Sequence, residues 1–411
     1  MNKIYLVNVT GADRPGITAR ICEILADYDT RILDIGQAVI HDQLSWGLLV
    51  ESNAANIAAE VFSVLQQKTA ELDLQTVVTE VPLERYEAWV GEKGQPRHII
   101  TLLGTSITPY HLARVAGLVS EQQLNIERIT RLSSRPSLYR QDGNQRIAFD
   151  ILVRGKVQNL SSMHADFFAL GSSLNIDIAV QLDDINRRSR RIVCFDMDST
   201  LIENEVIDLL AEANGAGDRA AALTERAMQG DVDFDSSFRQ RLALLKGLPE
   251  SALPKIAEKI SITPGANRLI HTLKKYGYKV VIISGGFEYF ANYLKRRLQI
   301  DYTFANELDI KDGIVTGRVT GDIVNKRRKA DLLRTIAKVE NVSLKQVIAV
   351  GDGANDLDML SIAGLGIAFQ AKPLVSREAR YAISSTNLDS ILYLLGMRDR
   401  DIESTLENDS P

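Results

Sequence analysis

IVCFDMDSTLIENE, residues 192–205, runs from four apolar residues into Asp196 and Asp198, one residue apart, and then into the hydroxylated pair Ser199-Thr200. Four apolar residues without alternation read as a strand buried on both faces, as in a parallel sheet covered by helices. Two carboxylates at the end of such a strand repel each other and lose hydration, so they point to chemistry rather than to stability.

The same grammar recurs downstream. Apolar strands at 279–283 and 346–350 run into Ser284-Gly285-Gly286 and into Gly351-Asp352-Gly353-Ala354-Asn355-Asp356, and further strands are expected at 302–304 and 365–369. From about residue 188 onward, apolar strands alternate with longer helices, which predicts an α/β domain with a Rossmann-like, doubly wound parallel sheet. More than 80 residues of helical composition separate the first two strands, with helices expected at 205–213, 220–228 and 234–245. That is too much chain for one crossover, so an inserted helical cap is predicted over about 205–265.

In an open parallel sheet the carboxyl ends of the strands converge on one crevice. Four acidic residues, a hydroxyl, an amide and glycine-lined backbone then face one another, and a cation is needed to offset their repulsion. An all-oxygen donor set suits Mg2+, which keeps water and phosphate oxygens in its shell. Gly285, Gly286 and Gly353 let backbone approach a tetrahedral anion. The combination indicates metal-assisted phosphoryl chemistry. Each element alone is weaker: D-x-D also serves sugar-nucleotide transferases, and S-G-G is commonly a turn.

The amino-terminal half has a different rhythm. A strand at 4–9, a helix carrying Ile17, Ile21, Ile24, Leu25 and Tyr28, strands at 32–40 and 44–50, a helix carrying Ile57, Val61, Val64 and Leu65, and a strand at 72–78 give the order βαββαβ. The order recurs after about 95 residues: strand 98–103, helix 112–119, strands 125–132 and 146–153, helix 162–170, strand 176–182. Each copy fits a small α+β, ferredoxin-like unit. Domains are therefore placed at 1–83, 97–183 and 190–396, with a frayed polar tail from Arg400.

With 411 residues, 45% hydrophobic, 25% charged and a net charge of −5, the chain has the composition of a soluble globular protein of two or three domains, without the basic footprint of a nucleic-acid binder. Arg187-Arg188-Ser189-Arg190-Arg191 reads as a solvated linker. No apolar run approaches the ~20 residues of a membrane span, and residues 1–3 lead straight into a strand, so a cytoplasmic protein without a membrane partner is expected. Cys22 and Cys194 read as buried thiols, and the five histidines form no metal cluster.

Two resemblances add to this reading. The loop Gly11-Ala12-Asp13-Arg14-Pro15-Gly16 is similar to that of ACT domains, regulatory modules that pair and bind amino acids at their interface. The resemblance implies a homodimer and an amino-acid effector such as serine, met by Gly11, Asp13, Arg14 and Gly16. The glycines and proline equally suit a plain strand-to-helix turn. The second copy, Gly104-Thr105-Ser106-Ile107-Thr108-Pro109, keeps a Gly and a Pro but lacks the Asp-Arg pair.

Residues 190–396 resemble the haloacid dehalogenase superfamily. FDMDSTLIENE, AMQGDVDF, SFRQRLALLKGLP, SGGF and VGDGAND extend the likeness to its phosphoserine phosphatase branch. The resemblance implies Mg2+-dependent hydrolysis of O-phospho-L-serine, the last step of serine biosynthesis, through an aspartyl-phosphate. Asp196 is then the nucleophile and Asp198 the general acid and base, in keeping with the proton that a departing seryl oxygen needs. Asp196, the Asp198 carbonyl and Asp352 hold the metal, with Asp356 behind them. Ser284, the Gly285 N–H and Lys329 stabilise the transferring phosphoryl group, and Ser284, Gly285, Gly286 and Asn355 bind substrate. Glu205 meets the amine, Arg241 the carboxylate, and Met228 and Phe234 cover the pocket. Without the resemblance, the residue chemistry leaves alternatives open: any cation of Lys326-Arg327-Arg328-Lys329 can be solvated, and the four cap residues can be ordinary helix and core positions. Phosphoryl transfer to another small hydroxyl compound, and an amino-acid sensor that only binds, stay open beside hydrolysis.

Overall fold

Strand β1 (Lys3–Ala12) pairs antiparallel with both β3 (Gln43–Ser52) and β4 (Leu74–Val81), and β2 (Thr30–Ile40) flanks β3, giving the order β2-β3-β1-β4. The computed structural model describes residues 3–27, 30–52, 55–92, 94–139, 146–228 and 234–407, without the side chains of 55–60, 221, 224–228, 234 and 405–407. Alternation decides which face is hidden: Val7, Val9, Trp46, Leu48 and Val50 pack on Ile21 and Leu25 of the helix Ile17–Ala26 and on Val61 and Leu65 of the helix Ala55–Ala70. The connector expected after this lobe holds another helix, Leu83–Gly91, which buries no residue and so gave no apolar stripe to read. Met1–Gln95 forms one unit of the chain and Pro96–Pro411 another.

The second unit opens with β5 (Arg97–Gly104), β6 (Asn125–Arg131), β7 (Ile147–Arg154) and β8 (Asp177–Leu182) in the order β6-β7-β5-β8, the strand order of the first lobe repeated. Its helices Pro109–Glu121 and Leu160–Leu174 cover one face. The other face is not solvated. Leu103, Leu132, Ala148 and Ala179 belong to the large apolar cluster of the sheet that follows.

That sheet has seven strands in the order β12-β11-β10-β9-β13-β14-β15: β9 (Ile192–Phe195), β10 (Lys279–Phe287), β11 (Tyr302–Lys311), β12 (Ile314–Thr320), β13 (Val347–Gly351), β14 (Leu365–Phe369) and β15 (Tyr381–Ile383). All neighbours are parallel except the edge pair β11–β12. The connections diverge on either side of β9, so the switch-point crevice lies at the carboxyl ends of β9, β10 and β13. Between β9 and β10 the helices Val206–Ala213, Gly217–Met228, Phe234–Ala243 and Leu253–Ala257 form the cap, with an antiparallel bridge Ile202↔Ile262 at its base.

Four sequence expectations need correction. The strand expected at 302–304 continues to Lys311 and turns back as β12; its half-buried, alternating outer part lacks the continuous apolar run of a central strand. The tail is a helix, Asp399–Glu407, anchored by Ile402 at 1% exposure. The basic run is no solvated linker: Arg187 and Arg190 are buried, the first paired with Asp150 at 3.3 Å and the second donating to Gln181 at 2.8 Å. Cys194 is buried as expected, but Cys22 is only half-buried.

Candidate active site

β9 stops at Phe195, and the N–H of Asp196 still reaches the Val350 carbonyl of β13 at 2.9 Å. The chain then turns instead of running on extended. Ile202 N–H closes on the Met197 carbonyl (3.1 Å), and Ser199 takes a left-handed φ of 54°. The turn carries Asp198 to the start of the helix Val206–Ala213, where Val206 N–H donates to its Oδ1 at 3.0 Å. A carboxylate accepting at a helix N-terminus is well placed.

Lys329 is the inward member of its charge run. It sits on the helix Lys326–Val339 with Ala330, Leu333 and Ile336, is 0% exposed, and donates to Asp196 Oδ2 (2.6 Å) and Asp356 Oδ1 (2.7 Å). Met197 N–H occupies Asp196 Oδ1 at 2.7 Å, and Gly353 N–H occupies Asp356 Oδ2 at 3.0 Å. Thr200 Oγ1 donates to Asp352 at 2.9 Å. Gly351 permits this crowding, since a Cβ there would lie 2.4 Å from the Asp356 carboxylate.

Asp196, Asp352 and Asp356 bring carboxylate oxygens within 4.8 Å of one another. Burial, then the Asp196 charge, pushes Asp352 up to about 8 and Asp356 up to about 7, the latter against the pull of Lys329. Burial also raises Asp198 well above the usual carboxylate range, with Glu205 and Asp196 adding to it, and raises Glu205. For Lys329, burial would lower the ammonium, but Asp196 and Asp356 outweigh it and raise it. One ammonium does not balance these carboxylates. The residues thus fit a hard divalent cation: an oxygen donor set with uncompensated negative charge.

β10 and β11 lose register between Ile283 and Phe287, so residues 284–286 bulge out of the ladder. The buried Ser284 Oγ accepts from Gly286 N–H at 2.9 Å. Gly286 lies so close to the acid pair that a Cβ would stand 2.5 Å from Asp198 Oδ2.

A cavity of about 760 Å³ gathers Asp196, Asp198, Glu205, Arg241, Ser284, Gly285, Gly286, Asp352 and Asn355 on its walls. Lys329 and Asp356 are buried against Asp196 and do not reach the wall. Glu205 accepts from Ser199 Oγ at 2.8 Å, and Arg241 enters from the cap helix Phe234–Ala243 together with Ser237 and Phe238. The side chains of Met228 and Phe234 lie outside the described residues.

The ligand residues expected in the first lobe are less closely gathered. Gly16 takes φ 94° before the helix Ile17–Ala26, which has no side-chain cap, and the exposed Arg14 lies 3.6 Å from Asp73. A cavity of about 420 Å³ at that end of the sheet is lined by Gly11 and Asp73 but not by Asp13, Arg14 or Gly16. Sequence reading gave Thr200 no role of its own and passed over Ser237 and Asn306. Asn306 lay beyond the strand expected at 302–304, between Ala305 and Glu307, so nothing local marked it.

Fold and site define a haloacid dehalogenase-like hydrolase, and the model of that family matches residues 193–361, while the ACT domain model matches 3–79. The chain is 38% identical over 409 residues to a phosphoserine phosphatase of Streptomyces coelicolor, covering 98% of this chain and 95% of that one. It is 36% identical to phosphoserine phosphatase SerB2 of Mycobacterium tuberculosis, over 97% and 94% of the two chains. A solved structure described as a probable phosphoserine phosphatase from Vibrio cholerae superposes with a TM-score of 0.56 at 32% identity, covering 78% of this chain and 90% of that one. The chain belongs to the haloacid dehalogenase-like hydrolases, among the phosphoserine phosphatases, and is a phosphatase with an amino-terminal ACT domain.

Proposed function

We propose that this enzyme hydrolyses O-phospho-L-serine to L-serine and phosphate through an aspartyl-phosphate. The observation that carries the reading is the fully buried Lys329 bridging Asp196 and Asp356, with Asp196 alone of the three reaching the pocket wall. Asp196 Oδ attacks phosphorus and the bond to the seryl oxygen breaks. Asp198, whose proton burial and the neighbouring Glu205 and Asp196 carboxylates favour, gives that oxygen its proton, then takes one from the water that hydrolyses the acyl phosphate. Ser284 and the Gly285 N–H meet the phosphoryl oxygens, Lys329 offsets their charge from behind Asp196, and Asp356 orients Lys329. Asp196, the Asp198 carbonyl and Asp352 would hold Mg2+, which supplies positive charge to the phosphoryl oxygens. Arg241 offers a fork for the carboxylate and Glu205 an anion for the amine, with Asn355 completing the pocket. Asp196→Asn is expected to abolish phosphate release with the circular dichroism spectrum unchanged, and EDTA to do so reversibly by Mg2+. Turnover by the variant near the native rate removes Asp196 as nucleophile. Equal release of serine and phosphate, with and without added alcohols, separates hydrolysis from phosphoryl transfer.

The remaining readings are proposals of the same kind. Residues 97–183 act as a second ACT-like domain, between a first at 1–83 and a hydrolase domain at 190–396 with its cap at about 205–265. The first lobe pairs with a second copy of the chain and takes serine near Gly11, Asp13, Arg14 and Gly16, supported by the uncapped N-terminus of the helix Ile17–Ala26. The enzyme works in the cytoplasm. If serine inhibition survives deletion of residues 1–95 in an active chain, the effector site lies outside the first lobe.

A further inference from the structure

Gly285 and Gly286 sit in a bulge of β10. β10 and β11 are in register at Ile283↔Phe304 and again at Phe287↔Asn306, so 284–286 on one strand face Ala305 alone on the other. Carbonyls shifted off the regular ladder in a half-buried to buried place call for a side-chain donor. Asn306, 2% exposed, supplies it: Nδ2 donates to the Gly285 carbonyl at 2.7 Å and to the Gly286 carbonyl at 3.2 Å. Its Oδ1 accepts from Val324 N–H at 2.8 Å. The next residue, Asn325, caps the helix that carries Lys329: its side chain accepts from Arg328 N–H (3.1 Å) and its carbonyl from Lys329 N–H (2.9 Å).

We propose that Asn306 is a positioning residue of the phosphoryl site, whose amide fixes the peptide planes of Gly285 and Gly286 and ties them to the loop that launches Lys329. A trans peptide carries its C=O and the following N–H on opposite sides. Drawing the Gly285 carbonyl onto Asn306 therefore turns Gly286 N–H the other way, onto Ser284 Oγ and the pocket. Glycine crosses between backbone wells at little cost, so without the anchor these peptides flip and present a carbonyl oxygen where an anion must sit. Both devices that serve the phosphoryl group, the bulge at the pocket wall and the lysine behind Asp196, are thereby tied to one side chain.

The inference rests on the phosphatase reading, and the test keeps the two apart. Native full-length protein is first assayed for phosphate release from phosphoserine and, by calorimetry with Mg2+, for binding of inorganic phosphate. Phosphate binding without phosphoserine turnover counts against the substrate alone; binding of neither removes the phosphoryl site and this proposal with it. Asn306→Ala is expected to lower kcat/KM about a hundredfold, the loss that ångström-scale misplacement brings. It should weaken inorganic phosphate about tenfold, in line with lost hydrogen bonds to a charged group. Inhibition by L-serine, which has no phosphoryl group, should move less than about twofold if only these contacts are disturbed. Asn306→Asp keeps the shape and sets a carboxylate against two carbonyls, and is read in the same way. Unchanged phosphate binding in a folded variant overturns the proposal, as does equal weakening of phosphate and serine. Failure of both variants to fold makes Asn306 structural and overturns it too.

Discussion

The two α+β lobes share a strand order and part company at the sheet face turned away from their helices. In the first lobe that side carries Ile35 at 52% and Val77 at 59% exposure. In the second, β5 is buried from His98 to Gly104, and Leu103, Ala148 and Ala179 join the apolar core of the hydrolase sheet. Polar groups seal that junction. Asp177 accepts from the N–H and hydroxyl of both Ser384 and Ser385 at 2.6–3.0 Å, and Asp389, 2% exposed, lies between Arg146 and Arg268. One topology thus serves once as a module with an open face and once as a wall of the enzyme.

Truncation gives the largest expected contrast. A chain starting at residue 96 retains a whole contact unit and should unfold cooperatively with kcat within about threefold of native, as a self-contained domain would. A chain starting at 186 bares the covered face; aggregation and at least a roughly tenfold loss of activity are expected, measured by light scattering and phosphate release. Equal behaviour of the two fragments would make the second lobe another detachable module and end the comparison. On a finer scale, Asp389→Ala takes a buried carboxylate from between Arg146 and Arg268, the second of which keeps Asp399 at 3.8 Å, and should cost about 3 kcal/mol in urea unfolding. The exposed Arg14–Asp73 pair of the first lobe is the control, where Arg14→Ala should cost less than about 0.5 kcal/mol.

The contrast was not written in the strands: β1, KIYLVNVTGA, opens on the apolar run Ile4–Val7, while β5, RHIITLLG, is interrupted by Thr101, whose hydroxyl donates to Asp150 at 2.6 Å. Continuous apolar runs did make β9, β10, β13 and β14 legible as strands hidden on both faces, and the motifs at their ends located the acidic cluster. What escaped was set by tertiary context. Arg187 and Arg190 look solvated in any reading of charge, and only Asp150 and Gln181, far away in sequence, make them buried. Lys329 is singled out through the family resemblance, and the buried helical face it shares with Ala330 and Leu333 is what turns it inward where Lys326 stays at the surface. Asp198 leaves the extended line because Val206 N–H draws it to a helix end, a contact that no spacing rule contains.

The same junction carries a pH dependence. His164 meets Tyr381 edge-on at 5.5 Å, and burial, with Arg380 and His98 nearby, lowers its pKa from 6.5 to about 4. The proton binds the unfolded chain first, so the stabilisation is complete above pH 6.5 and is lost as pH falls from 6.5 towards 4. The loss should reach about 2–3 kcal/mol, slightly discounted for partial exposure. His164→Phe should flatten the urea midpoint of the 96–411 fragment across that window. An unchanged slope would place the acid sensitivity of the junction on other groups.

The smallest effect tests the open face. Val77→Ser removes apolar surface that solvent reaches, so the first lobe should lose no more than about 0.5 kcal/mol, the usual scale for exposed positions. Dilution discriminates further, because a face covered by a second copy is stabilised in proportion to the logarithm of protein concentration. If Val77→Ser costs more than about 1 kcal/mol at high concentration and nothing at low, the face is an interface. Both lobes then hide the same side of the sheet, one under its own hydrolase domain and the other under a partner chain.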